Sequence, residues 1–251
     1  MNNACVIGRG YVGKATMLSF GIEKYFTRHD ANITLEQAAE CKYIFLCLPT
    51  PTVNGKAFTD DIFSLIKQIS SYPRHVDNVF IIRSTVWPGF AKYVQETLGI
   101  TNVVSNPEFL SEATWQQDAK QPAMVVIGCD NDKYIHEVKA LYMGRFKYME
   151  PILTTTTSAE LIKLSMNALF STKVAFFNEI FNYAQLVGAN YEAVKHALYM
   201  HPWGTKNHGT IWYKGKRGIH GSCLPKDLEA IAEQSGSKLF KTVLDLNKTY
   251  E

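Results

Sequence analysis

The sequence predicts an α/β fold, an N-terminal Rossmann-type parallel sheet followed by an all-helical central domain with one long helix. Three observations lead to it. Short apolar runs alternate with helical patterns through roughly the first 150 residues, the signature of βαβ units. A glycine-rich turn separates the first run from the first helix. Beyond Pro151 the alternation gives way to helix alone, and residues 158–187 are apolar on most faces of a helix. Two domains are expected, 1–150 and 151–251, because 251 residues exceed what one small core organises.

Residues 4–7 form a short buried strand that runs into Gly8-Arg9-Gly10-Tyr11-Val12-Gly13 and then into a helical stretch from Lys14. Glycines in that context permit a tight turn and let backbone amides approach a pyrophosphate at the helix N-terminus. Residues 24–29 read as the second strand, ending at Asp30, seventeen positions after Gly13. A carboxylate there binds an adenosine ribose and repels a 2′-phosphate, which favours NAD over NADP. Thr34-Leu35-Glu36-Gln37 has the capping-box pattern and starts a short helix. Residues 43–48 are a near-continuous apolar run, a strand buried on both faces, closed by Pro49-Thr50-Pro51 at its carboxyl end.

Residues 60–69 read as a helix, 79–82 as a strand, and Ser84-Thr85-Val86-Trp87-Pro88-Gly89 as another strand-to-helix turn. Val103-Val104-Ser105 leads into Asn106-Pro107-Glu108-Phe109-Leu110-Ser111-Glu112. If that segment turns helical, Glu108 and Glu112 share one face. Residues 123–127 are the last clear strand and 134–142 the helix that closes the first domain. Thr157-Ser158-Ala159-Glu160 again has the capping-box pattern and opens the long helix, which stops at Gly188. Its apolar faces call for burial by a second copy of the chain, so a homodimer through residues 158–187 is expected. Lys163 and Asn167 lie four apart on this helix among apolar neighbours; the lysine either snorkels or has a function.

After a helix over 190–199, residues 200–222 show no regular period and are rich in Gly, His, Trp and Lys. Long irregular loops inside compact domains are commonly functional. Lys206, Lys214, Lys216, Arg217, His201 and His208 offer charge for phosphates, and Trp203, Trp212 and Tyr213 offer rings for a base. The loop leads to Gly221-Ser222-Cys223-Leu224-Pro225-Lys226-Asp227. Pro225 suits the first turn of a helix, and a cysteine at the start of that helix faces backbone N–H groups that favour an anion. The alternative is a buried structural cysteine. Two helical stretches, 224–234 and 238–248, complete the chain.

Composition narrows the function classes. The chain is 46% apolar and 20% charged, with no run of roughly 18 apolar residues to span a bilayer. A membrane protein is not expected. Five scattered cysteines without a C-x-x-C pair argue against a zinc site or a disulfide framework. A formal charge of +3 without a basic run gives nucleic-acid binding no support. The N-terminus carries no basic region or cleavage signal, so a cytoplasmic location is expected.

Seven motifs then occur in one order: Gly8-x-Gly10-Tyr11-Val12-Gly13, Pro49-Thr50-Pro51, Ser84-Thr85-Val86, Pro107-Glu108-Phe109-Leu110-x-Glu112, Glu160-Leu161-x-Lys163-Leu164-x-x-Asn167, Asn178-Glu179 and Cys223-x-Pro225-Lys226-Asp227. Together they resemble the nucleotide-sugar 6-dehydrogenases, the family typified by UDP-glucose 6-dehydrogenase. The chain resembles a short form of that family without its C-terminal nucleotide-binding domain. The residues 218–221, Gly-Ile-His-Gly, depart from the family's Gly-Phe-Gly-Gly, and its Asp-x-Arg-Ile-Gly element is not recognisable around Trp203.

The resemblance implies two successive NAD-dependent oxidations of a sugar 6-hydroxyl to a carboxylate, with UDP-glucose the leading substrate. It implies that NAD is held by Gly8, Gly10, Tyr11, Val12, Gly13, Asp30, Pro49, Thr50, Ser84, Thr85, Glu112 and Lys226. For the sugar it implies Phe109, Leu110, Lys163, Asn167, Gly221 and Cys223. Lys163, Asn167 and Asp227, with a water on Thr85, would serve the first oxidation, Cys223 the second, and Glu112 with Glu108 the final hydrolysis. Two alternatives stay open. A two-electron 3-hydroxyacid-type dehydrogenase also pairs a Rossmann domain with a helical Lys-x-x-x-Asn, and a non-catalytic binding module is the other.

Overall fold

The computed structural model describes residues 1–53, 55–73 and 77–250. The chain divides into two compact units, Met1–Pro51 with Ala57–Lys163, and Thr52–Lys56 with Leu164–Glu251. In chain order the first stretch gives β1 (Ala4–Ile7), α1 (Tyr11–Phe20), β2 (Lys24–Phe26), α2 (Leu35–Ala39), β3 (Tyr43–Leu46), and two two-residue strands, β4 (Thr52–Val53) and β5 (Lys56–Ala57). Next come α3 (Asp60–Ser71), β6 (Val79–Ile82), α4 (Phe90–Leu98), β7 (Val103–Ser105), α5 (Trp115–Lys120), β8 (Val126–Gly128), α6 (Asp132–Arg145) and β9 (Ile152–Thr154). The long helix α7 (Thr156–Val187) follows, then α8 (Tyr191–Met200), β10 (Trp212–Tyr213), β11 (Lys216–Arg217), α9 (Leu224–Ser235) and α10 (Lys238–Lys248).

The first unit is a seven-stranded sheet in the order β2-β1-β3-β6-β7-β8-β9. Strands β2, β1, β3, β6 and β7 pair in parallel, β7 meets β8 antiparallel, and β8 and β9 pair in parallel. The apolar runs have a direct cause. Alternate residues of each strand point to opposite faces, and both faces are covered. Val6, Phe45, Ile81 and Ile127 pack on one side with Phe20, Val138 and Tyr142 of α1 and α6. Cys5, Ile44, Leu46 and Phe80 pack on the other with Ile62, Ile66 and Val94 of α3 and α4.

Local signals behave as their chemistry requires. The Thr34 side chain accepts from Gln37 N and the Gln37 side chain accepts from Thr34 N, a complete capping box. The second box does not form. Helix α7 starts two residues earlier than expected, and Thr155 Oγ1 accepts from Ser158 N, which leaves Glu160 free for other donors. Strand β9 was not foreseen, because three residues, Ile152-Leu153-Thr154, carry too little periodicity to stand out.

In the second unit, Leu164, Ala168 and Ala175 of α7 pack with Ile219, Leu228, Ile231 and Val243. Further along, Phe177 and Ala184 pack with Tyr191 and Ile211. Gly188 ends α7 in a left-handed conformation, φ +70°, as a stop glycine does. Leu169, Phe176, Tyr183, Leu186 and Val187 stay exposed on the same helix, Leu186 by 81%. No helix among the described residues is long and apolar enough to cross a membrane.

Candidate functional site

The glycine turn between β1 and α1 assigns each glycine a separate task. Gly8 has φ +94°, and a Cβ on it would stand 2.3 Å from the Cys47 carbonyl oxygen. Gly13 packs so closely that a Cβ would lie 2.0 Å from the Gly8 carbonyl oxygen. Gly10, the N-cap of α1, has nothing within 4 Å of a built Cβ. Tight turn, close helix packing and open backbone at the helix N-terminus are the three requirements of a pyrophosphate cradle. Tyr11 and Val12 open the helix beside it. The turn fits a dinucleotide.

Asp30 lies differently from expectation. Strand β2 ends at Phe26, and Thr27 to Asp30 form a tight turn in which Thr27 N donates to Asp30 O at 3.0 Å. The Asp30 carboxylate accepts from Arg9 Nη1 at 2.9 Å and from the Tyr25 hydroxyl at 3.0 Å.

The loops after β3 and β6 are tied to each other at the carboxyl ends of their strands. Thr50 Oγ1 donates to Thr85 O at 2.7 Å, and Ser84 Oγ to Leu48 O at 2.8 Å. Pro49, Thr50, Ser84 and Thr85 are thus brought together where open parallel sheets bind ligands. Glu160 of α7 anchors the second of these loops. Its carboxylate accepts from Gly89 N at 2.6 Å, Ala91 N at 2.9 Å and Ser105 Oγ at 2.8 Å. Burial raises its pKa to about 7, against the pull of these donors. The signal available in the sequence was a glutamate on a mostly apolar helix, one turn before Lys163.

Lys163 does not snorkel. Its ammonium lies 3.2 Å from Glu108 Oε1 with the two side chains only 6% and 5% exposed, and 5.5 Å from the centre of the Phe109 ring. Glu108 also accepts from Leu110 N at 2.6 Å, so the loop after β7 is folded around its own carboxylate. That loop is not helical, and Glu108 and Glu112 therefore do not share a helix face. Glu108 is buried and Glu112 is exposed. The division suits different tasks: a buried Lys–Glu pair fixes a polar group in low dielectric, and an exposed carboxylate has access to water.

In the second unit, Gly221, with φ +93°, turns the chain into α9, whose N-cap is the half-buried Cys223, with Pro225 in the first turn. The Cys223 Sγ lies 3.5 Å from Ser222 Oγ. Asp227 is buried, accepts from Asn167 Nδ2 at 2.6 Å through one oxygen and pairs with Lys226 through the other. The bond fixes the Asn167 amide, and Lys226 balances the charge of the carboxylate.

The segment before Cys223 is more ordered than expected. Strands β10 and β11 form a hairpin over Lys214 and Gly215, both with positive φ, and Arg217 packs inward. Its guanidinium donates to Asn178 Oδ1 at 2.8 Å and lies 5.2 and 5.0 Å from the Phe181 and Tyr250 ring centres. His208 stacks on Phe170 at 4.6 Å. These two are committed to packing, whereas Trp203, Trp212 and Tyr213 are exposed.

Comparisons with known proteins identify the family. Residues 22–146 match the UDP-glucose/GDP-mannose dehydrogenase family NAD binding domain, and residues 157–249 match the central domain of that family. A UDP-glucose 6-dehydrogenase of Rickettsia bellii is 29% identical over 245 residues, covering 90% of this chain and 55% of that protein. The chain thus spans about half the length of that curated relative. Among solved structures, a UDP-glucose dehydrogenase from Pyrobaculum islandicum shares the fold with a TM-score of 0.80 at 22% identity, covering 99% of this chain and 68% of that one. A 3-hydroxyisobutyrate dehydrogenase of Mycobacterium tuberculosis shares the fold with a TM-score of 0.75 at 14% identity, covering 100% of this chain and 94% of that one.

Proposed function

We propose that this chain, which belongs to the UDP-glucose/GDP-mannose dehydrogenase family and carries its NAD-binding domain, oxidises the 6-hydroxyl of a nucleotide sugar to a carboxylate in two steps. UDP-glucose is the substrate class we assign first. The observation that carries the four-electron reading is Cys223 at the N-cap of α9, in the same turn as the Asp227 that orients Asn167. A two-electron dehydrogenase has no use for that cysteine.

NAD, when bound, supplies the hydride acceptor at each oxidation. Lys163 and Asn167 position the 6-hydroxyl, and its proton leaves through a water held by Thr85. The Cys223 thiolate then adds to the aldehyde carbon, and Lys163 and Asn167 donate to the oxyanion of the thiohemiacetal. Oxidation of that adduct leaves a thioester. Glu112, with Glu108 fixing Lys163, activates the water that hydrolyses it and returns the thiol. One water is consumed and two NADH form per sugar. Phe109, Leu110 and Gly221 are the further residues we assign to the sugar, and Lys206, Lys214 and Lys216 those we assign to its phosphates.

Absorbance of NADH at the end of the reaction, with limiting UDP-glucose, GDP-mannose or free glucose, tests this reading. Two NADH per UDP-sugar and none with glucose is the expected result. One NADH per molecule would replace it with a two-electron enzyme, and no turnover or binding of any UDP-sugar would remove it.

The exposed stripe on α7 completes the proposal. Leu169, Phe176 and Tyr183 recur every seven residues, the spacing of a helix seam, and we assign a second copy of the chain as its cover. Sedimentation velocity at micromolar concentration should give a dimer, and replacing Phe176 and Tyr183 with glutamate should give a monomer. A monomeric wild-type chain would refute this assembly.

A further inference from the structure

Strand β6 ends at Ile82, and the alternation that turns Val79 and Ile81 toward α1 and α6 makes Arg83 the next residue on that face. A guanidinium is thereby set on a covered side of the sheet. One of its nitrogens is committed: Nη1 donates to Asn106 Oδ1 at 2.8 Å and to the Tyr142 hydroxyl at 2.7 Å, and that hydroxyl donates to the same Asn106 oxygen. The other two are not. Nε is buried without a hydrogen-bond partner among the described residues, and the bonds that the guanidinium makes to them all come from Nη1. Among the described residues no carboxylate forms an ion pair with it. A buried donor without an acceptor is rare and costly, and a charge without a counter-charge adds to that cost.

Arg83 lines a cavity of about 250 Å³ in the first unit, below the roughly 300–1,000 Å³ of sites for drug-sized ligands. Phe20, Val125 and Phe146 give it apolar walls. Its two carboxylates already have donors: Glu108 pairs with Lys163 and accepts from Leu110 N, and Asp118 accepts from Ser111 N and Thr114 Oγ1 at 2.9 Å each. We propose that this cavity binds a small organic carboxylate of two to four carbons, its two oxygens on Nε and Nη2 of Arg83. That edge of a guanidinium carries two parallel donors, which match a planar carboxylate. The apolar walls receive the short chain. A tetrahedral dianion such as phosphate is disfavoured, because it would bring a second negative charge into a cavity that already holds Asp118 and Glu108. The inference does not depend on the dehydrogenase reading.

The 15N-labelled full chain reports binding at the donor itself. The Arg83 Nε–H resonance, assigned through space from Tyr142 and confirmed by its loss in Arg83→Lys, should move downfield and saturate as sodium acetate, propionate or butyrate is added at constant pH and ionic strength. Affinity should rise about fourfold for each added methylene, the gain from burying it. Sodium chloride, sodium phosphate and neutral propionamide should leave the resonance in place at the same concentrations. The rise in denaturation temperature that butyrate gives the wild type should need about tenfold more butyrate in Arg83→Lys, since a point charge replaces the two-donor edge. The titration of the wild type stands whether or not that variant folds. An Nε–H resonance unmoved by millimolar carboxylate, one that chloride moves equally, or an affinity that falls from acetate to butyrate overturns the proposal and leaves the cavity to water.

Discussion

Replacing Cys223 with serine should reduce carboxylate formation on the order of 10³-fold or more, while the first oxidation continues. A serine hydroxyl in the same place is a far weaker nucleophile than a thiolate. Lys163 keeps its pair with Glu108, Asn167 its bond to Asp227, and Asp227 its pair with Lys226. The variant should therefore form one NADH per UDP-sugar and release an aldehyde that a hydrazine reagent traps. The wild type should form two NADH and yield no trappable aldehyde. Two NADH from Cys223→Ser at a rate near that of the wild type would end the thioester mechanism.

What the sequence disclosed and what it hid divide along a physical line. Gly8, Gly10 and Gly13 are legible because the motif is local, a turn, an open approach and a close helix contact within six residues, although the Cys47 carbonyl that crowds Gly8 lies far away in sequence. The Thr34–Gln37 box was legible for the same reason. The hairpin at Lys214-Gly215 is legible in principle, since a two-residue turn with glycine between short β-prone runs is a hairpin signal, but the residues around it show no regular period.

Long-range charge partners were not legible. Lys163 meets Glu108 across 55 positions, and no periodicity indicates which carboxylate a buried lysine will find. Asp30 was placed by spacing alone, and spacing says nothing of the turn that hands its carboxylate to Arg9. Arg217 carries the charge that phosphates attract, yet Phe181, Tyr250 and Asn178 make a better site for it than solvent does. The motif order carried the family because it samples these tertiary partners indirectly, residue by residue.

Glu160 carries the second large effect, on stability. In Glu160→Ala, the N–H groups of Gly89 and Ala91 and the Ser105 hydroxyl lose their acceptor, and an unsatisfied buried donor costs about 1–3 kcal/mol. The variant should lose about 3–5 kcal/mol, read as a lower denaturant midpoint. NAD affinity should fall with it, because the same carboxylate fixes the Ser84–Gly89 turn.

The pH dependence separates this role from simple packing. Burial raises Glu160 to about 7 in the folded chain, above the ordinary carboxylate value of about 4.3, so the folded state binds the proton more tightly than the unfolded state. Its contribution is fully present below about pH 4.3 and is lost as pH rises through the interval to about 7, with a slope of at most about 1.4 kcal/mol per pH unit. Glu160→Gln keeps the shape and one acceptor oxygen but cannot titrate. The difference in stability between wild type and Glu160→Gln should therefore shift against the wild type from pH 5 to pH 8. A difference that is flat across that range would show that the carboxylate is ionised throughout, with the donors from Gly89, Ala91 and Ser105 outweighing its burial.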